Sequence, residues 1–160
     1  MKQRIGWVNG EWNVPKELAI PIVDRGLTLG DGIFETIMIL NGQPQLLKEH
    51  CDRWKKSASL LEMASPPDSK WLKSLIYEGI QRAGIHKQNG ILRLNWTRGN
   101  ANKRGIAFSN DKAKTSKHRF WMELNPNEPC FKTISVITSK HEQRNANSRL
   151  SSCKTFNYSQ

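Results

Sequence analysis

Three stretches of this sequence hold residue types suited to chemistry. Lys154 sits in Ser151-Ser-Cys-Lys-Thr-Phe-Asn-Tyr158, a run with no other charged residue. A lysine shielded from water by small and aromatic neighbours keeps its amine neutral more readily. A neutral amine adds to a carbonyl and forms an imine. Taken alone, the run fits a solvated lysine better. Arg53 follows His50 by three residues in a stretch with helical spacing. A guanidinium on a helix can grip a phosphate through paired N–H donors, although an ordinary surface arginine has the same signature. His50 itself reads as a buried or capping histidine. Thr97-Arg-Gly-Asn-Ala-Asn-Lys-Arg-Gly105 places Arg98 and Arg104 among glycines. Glycine lets backbone come close to a ligand and arginine suits an anion, but a flexible basic loop has the same composition.

The elements that must position these residues are legible in part. Asn9-Gly10 between apolar residues predicts a tight hairpin. Val23-Asp-Arg-Gly-Leu-Thr-Leu-Gly-Asp-Gly-Ile33 holds three glycines and reads as a loop. Ile33 to Leu40 reads as a strand, turned at Asn41-Gly42. Cys51, Trp54, Ala58 and Leu61 recur at helical spacing and predict a helix over 48–63. After Pro66-Pro67, Asp68 or Ser69 caps a second helix with Trp71, Leu72, Leu75, Ile76 and Ile80 inward and Gly84 as its stop. Alternation of Leu92, Leu94 and Trp96 with Arg93, Asn95 and Thr97 predicts a half-buried strand. Phe120, Met122 and Leu124 mark another strand, and Phe131 to Thr138 a third. Residues 99–117 form a long basic loop.

Composition narrows the classes. The chain has 160 residues, 37% of them hydrophobic, enough for one core. The longest apolar runs are a few residues, too short to cross a bilayer as a helix. The first residues lack an apolar signal stretch. Three cysteines without a CxxC pair predict neither a disulfide framework nor a metal site, which points to a soluble, reduced, cytoplasmic protein. The +11 charge lies wholly in the second half: residues 1–80 net zero, with ten basic and ten acidic side chains. That asymmetry suits an anionic partner, either a phosphate or nucleic acid. A nucleic-acid groove would also need exposed aromatics, and Trp96, Phe108 and Trp121 serve equally well as core.

Read together, Asn9-Gly-Glu, Asp24-Arg-Gly-Leu-Thr-Leu-Gly-Asp-Gly-Ile-Phe-Glu-Thr36, Glu49-His50 with Arg53, Thr97-Arg-Gly, and Arg149-Leu-Ser-Ser-Cys-Lys-Thr-Phe-Asn-Tyr158 form an ordered set. The set resembles the class IV (fold type IV) aminotransferases, which use pyridoxal phosphate, and it covers roughly residues 7–158. The resemblance implies an α+β chain. A small N-terminal α/β domain would occupy 1–125, a linker 126–130, and the incomplete start of a larger cofactor-binding domain 131–160. It implies that Lys154 holds the cofactor and moves protons, that Arg53 contacts the cofactor phosphate, and that Tyr158 stands near its ring oxygen. Arg104, or else Arg98, would bind a substrate carboxylate, and Phe34 and Thr36 would line the substrate pocket. A homodimer is expected on the same ground.

Within the family the markers are mixed. Thr36 stands where branched-chain aminotransferases tend to have glycine, and Phe34 where D-amino-acid enzymes tend to have tyrosine. Arg104-Gly105, and Arg149-Leu150 with Lys154 and Asn157, resemble 4-amino-4-deoxychorismate lyase, which forms 4-aminobenzoate and pyruvate in the folate pathway. Tyr158 is closer to the aminotransferases. The lyase is the favoured expectation, with a branched-chain or D-amino-acid aminotransferase as the alternative. The resemblance also implies that the acid facing the pyridine nitrogen and the phosphate-cup amides lie beyond Gln160. A truncated chain with little activity is therefore expected. An inactive remnant and a basic nucleic-acid-binding module are the remaining alternatives.

Overall fold

A computed structural model describes residues 2–100, 118–141 and 145–157. Its frame is one antiparallel sheet of six strands: β1 (Ile5–Val8), β2 (Glu11–Asn13), β3 (Gly32–Leu40), β4 (Gln43–Pro44), β5 (Gly90–Thr97) and β6 (Arg119–Pro126), in the order β2-β1-β6-β5-β3-β4. Both predicted Asn-Gly turns form. Asn9 and Gly10 have φ of 52° and 97°, and Asn41 and Gly42 have 48° and 73°, the positive values that a two-residue hairpin turn requires.

Strand alternation divides the sheet into two unlike faces. Ile33, Ile37, Ile39, Leu92, Leu94, Trp96, Phe120, Met122, Leu124 and Ile5 are buried on one face. Helices α2 (Leu47–Leu60) and α3 (Ser69–Arg82) pack on it through Cys51, Trp54, Ala58, Leu72, Leu75, Ile76 and Ile80. Burying this much apolar surface is the main favourable term in folding. Trp54 supplies aromatic edges to both Trp96 and Phe120. The opposite face is mixed, with Phe34, Thr36, Arg93, Asn95, Trp121 and Glu123 projecting from β3, β5 and β6.

Several expectations change. Trp71 is 44% exposed rather than inward, because its ring lies at the core's rim against Trp7 and Phe120. The glycine-rich stretch is not all loop: Asp24 caps a five-residue helix, α1 (Arg25–Leu29), which Gly30 closes in the left-handed conformation. Residues 131–138 form no strand. Among the described residues no strand pairs with them, and an isolated extended segment has no ladder to hold it. Phe131 and Ile137 are 94% and 97% exposed. Asn95 and Thr97 are buried like their apolar neighbours, so the predicted half-burial of β5 fails at its end. No helix among the described residues is long and apolar enough to cross a membrane.

Candidate active site

The site assembles around β3. Glu35 points to the apolar, helix-bearing face, in register with Leu94, and is 1% exposed. An unpaired carboxylate there would be very costly. Two α2 residues meet it. Arg53 donates from Nε to Glu35 Oε1 at 2.7 Å and from Nη2 to Oε2, a two-point fork that fixes the guanidinium plane. His50 Nδ1 lies 2.7 Å from Oε2. The Arg53 side chain is 45% exposed, so an anchored cation reaches the surface. His50, expected as a buried or capping residue, instead braces this carboxylate.

Lys154 arrives on the other side of the same strand. The N-terminal half of β3 has an edge that β4 does not cover, since β4 pairs only with Ile39 and Leu40. The Phe34 N–H donates to the Lys154 carbonyl at 2.9 Å, the Phe156 N–H donates to the Gly32 carbonyl at 3.0 Å, and Ile33 bridges Thr155. Lys154 Nζ then stands 5.2 Å from the centre of the Phe34 ring. Among the described residues it has no hydrogen-bond or ion-pair partner. Adjacent residues of one strand, Phe34 and Glu35, thus receive Lys154 and Arg53 on its two faces.

Phe34 also carries Arg93, whose Cζ is 3.9 Å from the ring centre. Arg93 Nε donates to Asn95 Oδ1 at 3.0 Å. Partial burial pulls this guanidinium below its ordinary value, and the Glu123 carboxylate on the neighbouring strand opposes the shift. Arg93 faces Thr36 across the ladder, so Phe34, Thr36, Arg93 and Lys154 share one face. The sequence reading missed Arg93 and Glu35. Their strand parity was the available signal, with Arg93 on the side of Asn95 and Glu35 on the side of Ile33 and Ile37.

Arg98 is held in a different network. It is 9% exposed; Nε donates to Asp31, and Nη1 and Nη2 donate to the Glu62 and Leu61 carbonyls at 2.8 and 2.7 Å. Asp31 also accepts from Arg25 Nε at 2.7 Å. Asp24, wholly buried, accepts from the Gly26 N–H, Thr97 Oγ1 and Arg119 Nε. This network ties α1 to the end of β5 and to the C-terminus of α2. The other two residues, Arg104 and Tyr158, lie outside the described residues. No cluster of metal-ligating side chains occurs among those described.

The model of the class IV aminotransferases matches residues 32–160, which spans β3, Arg53 and Lys154. The chain belongs to this family. A D-alanine aminotransferase from Bacillus licheniformis is 31% identical over 137 residues, covering 86% of this chain and 43% of that protein. Among solved structures, the pyridoxal-phosphate-bound form of a hypothetical aminotransferase from Mycobacterium tuberculosis superposes with a TM-score of 0.62. It is 24% identical and covers 78% of this chain and 40% of that one, which speaks to the fold. A 4-amino-4-deoxychorismate lyase from Pseudomonas aeruginosa gives a TM-score of 0.56 at 26% identity, over 79% of this chain and 41% of that one. The chain spans about a third of the length of the first curated relatives it matches. The mixed helix and antiparallel-sheet fold of this chain matches the fold type IV aminotransferases.

Proposed function

We propose that this class IV aminotransferase chain works with pyridoxal phosphate, carried on Lys154 and gripped at its phosphate by Arg53, and that its reaction is that of 4-amino-4-deoxychorismate lyase. One observation carries the reading: an amine that, among the described residues, has no hydrogen-bond or ion-pair partner and an anchored, half-exposed guanidinium meet adjacent residues of one strand. These groups fit the cofactor, since an amine is needed for its aldehyde and a fixed fork for its phosphate. Bound there, pyridoxal phosphate supplies the electron sink for the pair left when a proton departs next to the substrate nitrogen. Lys154, standing over Phe34, is the base that takes this proton. Phe34 and Thr36 form the wall against which substrate lies, and Arg104 is assigned the substrate carboxylate in place of the internally bonded Arg98. Tyr158 is assigned the cofactor's ring oxygen. The lyase assignment rests on the Arg104-Gly105 and Arg149-Leu150 pattern. Residues 1–125 are assigned to the small domain, and 131–160 to the larger one, in a homodimer.

The 31% identity to a D-alanine aminotransferase favours a second reading, transfer of an amino group from a D-amino acid to a keto acid. Two measurements separate the readings. Borohydride reduction in the presence of pyridoxal phosphate should fix the cofactor on the parent chain and lose most of that label in Lys154→Ala; equal labelling would overturn the cofactor site. Release of 4-aminobenzoate without any added keto acid supports the lyase. Pyruvate formed from D-alanine only when a keto acid is supplied supports the transaminase instead.

A further inference from the structure

The glycines of residues 26–32 are fitted to the lysine segment. A Cβ on Gly26 would lie 2.1 Å from Thr97 Cγ2 and 3.0 Å from Phe156 Cε2. On Gly32 it would lie 3.0 Å from the same methyl, 3.1 Å from the same ring atom and 3.1 Å from the Trp96 carbonyl oxygen. Each distance is at or below the tight end of carbon–carbon contact, in an interior packed to crystal-like density. The Phe156 ring that fills this space sits between two aromatic neighbours, with centroids 6.4 Å from Phe34 and 5.7 Å from Trp121. Phe156 is two residues from Lys154, and the backbone bonds Phe34–Lys154 and Phe156–Gly32 bracket the lysine.

We propose that Gly26 and Gly32 are positioning residues for Lys154: their missing side chains set the depth of the Phe156 ring, and through it the place of the Lys154 amine above Phe34. The inference rests on the reading of Lys154 as the cofactor lysine. A rigid two-bond bracket transmits any displacement of Phe156 to the neighbouring lysine. Misplacing a reacting group by about 1 Å costs up to about a hundredfold in rate. The same two glycines also border Thr97, whose hydroxyl is held by Asp24, so the cavity cannot widen on that side without breaking a buried bond.

The test uses pyridoxal phosphate and borohydride on the full chain, with the label located by peptide mass spectrometry and scored on Lys154 relative to the other lysines. Thermal unfolding is recorded alongside. Gly32→Ala should lower relative labelling of Lys154 by about tenfold, within that range. Adding Phe156→Leu to Gly32→Ala should recover part of it, because the smaller side chain relieves the new methyl on the ring side while Thr97 and the Trp96 carbonyl still confine it, a non-additivity expected of coupled neighbours. Phe156→Leu alone adds no bulk at the strand and keeps the test decisive should Gly32→Ala fail to fold; in a folded chain it should lower relative labelling by a smaller factor, whatever modest drop in melting midpoint the lost ring contacts bring. Parent-like labelling of Lys154 in Phe156→Leu, or in a folded Gly32→Ala, overturns the inference while leaving the cofactor reading intact. Labelling of the parent that shows no preference for Lys154 overturns both.

Discussion

A carboxylate on the apolar side of a sheet must find donors, and Glu35 finds them on α2. Its bonds to Arg53 and His50 make a strand residue and a helix residue one unit. Arg53→Ala should therefore cost stability as well as cofactor binding, because Glu35 would keep His50 alone. The expected loss is about 2 kcal/mol, moderated by the half-exposure of Arg53, and the urea midpoint measures it. Arg53→Lys should recover part of the stability but not the two-point fork. At this scale Arg53 and Lys154 stood out as candidates because a guanidinium suits a phosphate and an amine suits an aldehyde. Glu35 was not, since in Phe34-Glu35-Thr36 it looks like one more polar residue. Its parity with Ile33, Ile37 and Ile39 holds the missed information.

Helix α3 shows how far local signals reach at the scale of elements. Asp68 accepts from the Lys70 and Trp71 N–H groups at 2.9 and 3.1 Å, the cap expected from sequence. These bonds, that of Trp71 first, hold its carboxyl below the ordinary value. A carboxyl depressed in the folded state adds stability that is fully present above its unfolded value and is lost as pH falls through the folded one. The gap in melting temperature between the parent and Asp68→Asn should thus be steady near neutrality and shrink below about pH 4. Arg98 operates between elements. It clamps the carbonyls of Leu61 and Glu62, just past the end of α2, to Asp31 beside the glycine segment, and so fixes the helix bearing Arg53 relative to the segment that receives Lys154. Arg98→Ala should lower stability by about 3 kcal/mol, read from chemical denaturation. A run ending Thr-Arg-Gly shows that an arginine follows a strand but not which way it turns, so its two uses were inseparable before the contacts were known.

The sheet has two unlike faces, one carrying the apolar core together with the Glu35–Arg53 pair. Leu94 is fully buried between Glu35 and Met122 in the ladder. Leu94→Ala should cost about 2–5 kcal/mol by transfer and cavity terms, measurable as a shifted denaturant midpoint. The other face carries Phe34, Thr36, Arg93 and Trp121, and the lysine segment lies over it. Arg93 and Lys154, both from the basic second half of the sequence, meet on this face over Phe34. Trp96 joins the core and so gives no support to a nucleic-acid groove.

The sequence by itself determined the hairpins, both long helices, the Asp68 cap of α3, the central strands and the family, because each rests on local signals: Asn-Gly turns, a capping side chain, apolar periodicity, and an ordered set of short motifs. It could not decide that residues 131–138 find no pairing strand among the described residues, since pairing depends on a neighbouring strand rather than on the apolar residues of the segment itself. Nor could it show that the glycines make room for Phe156, that Glu35 anchors Arg53, or that Arg98 is turned inward. Residues 24–35 and 149–157 are more than a hundred positions apart, and their relation is a matter of packing and hydrogen bonding across space, which only the tertiary structure fixes.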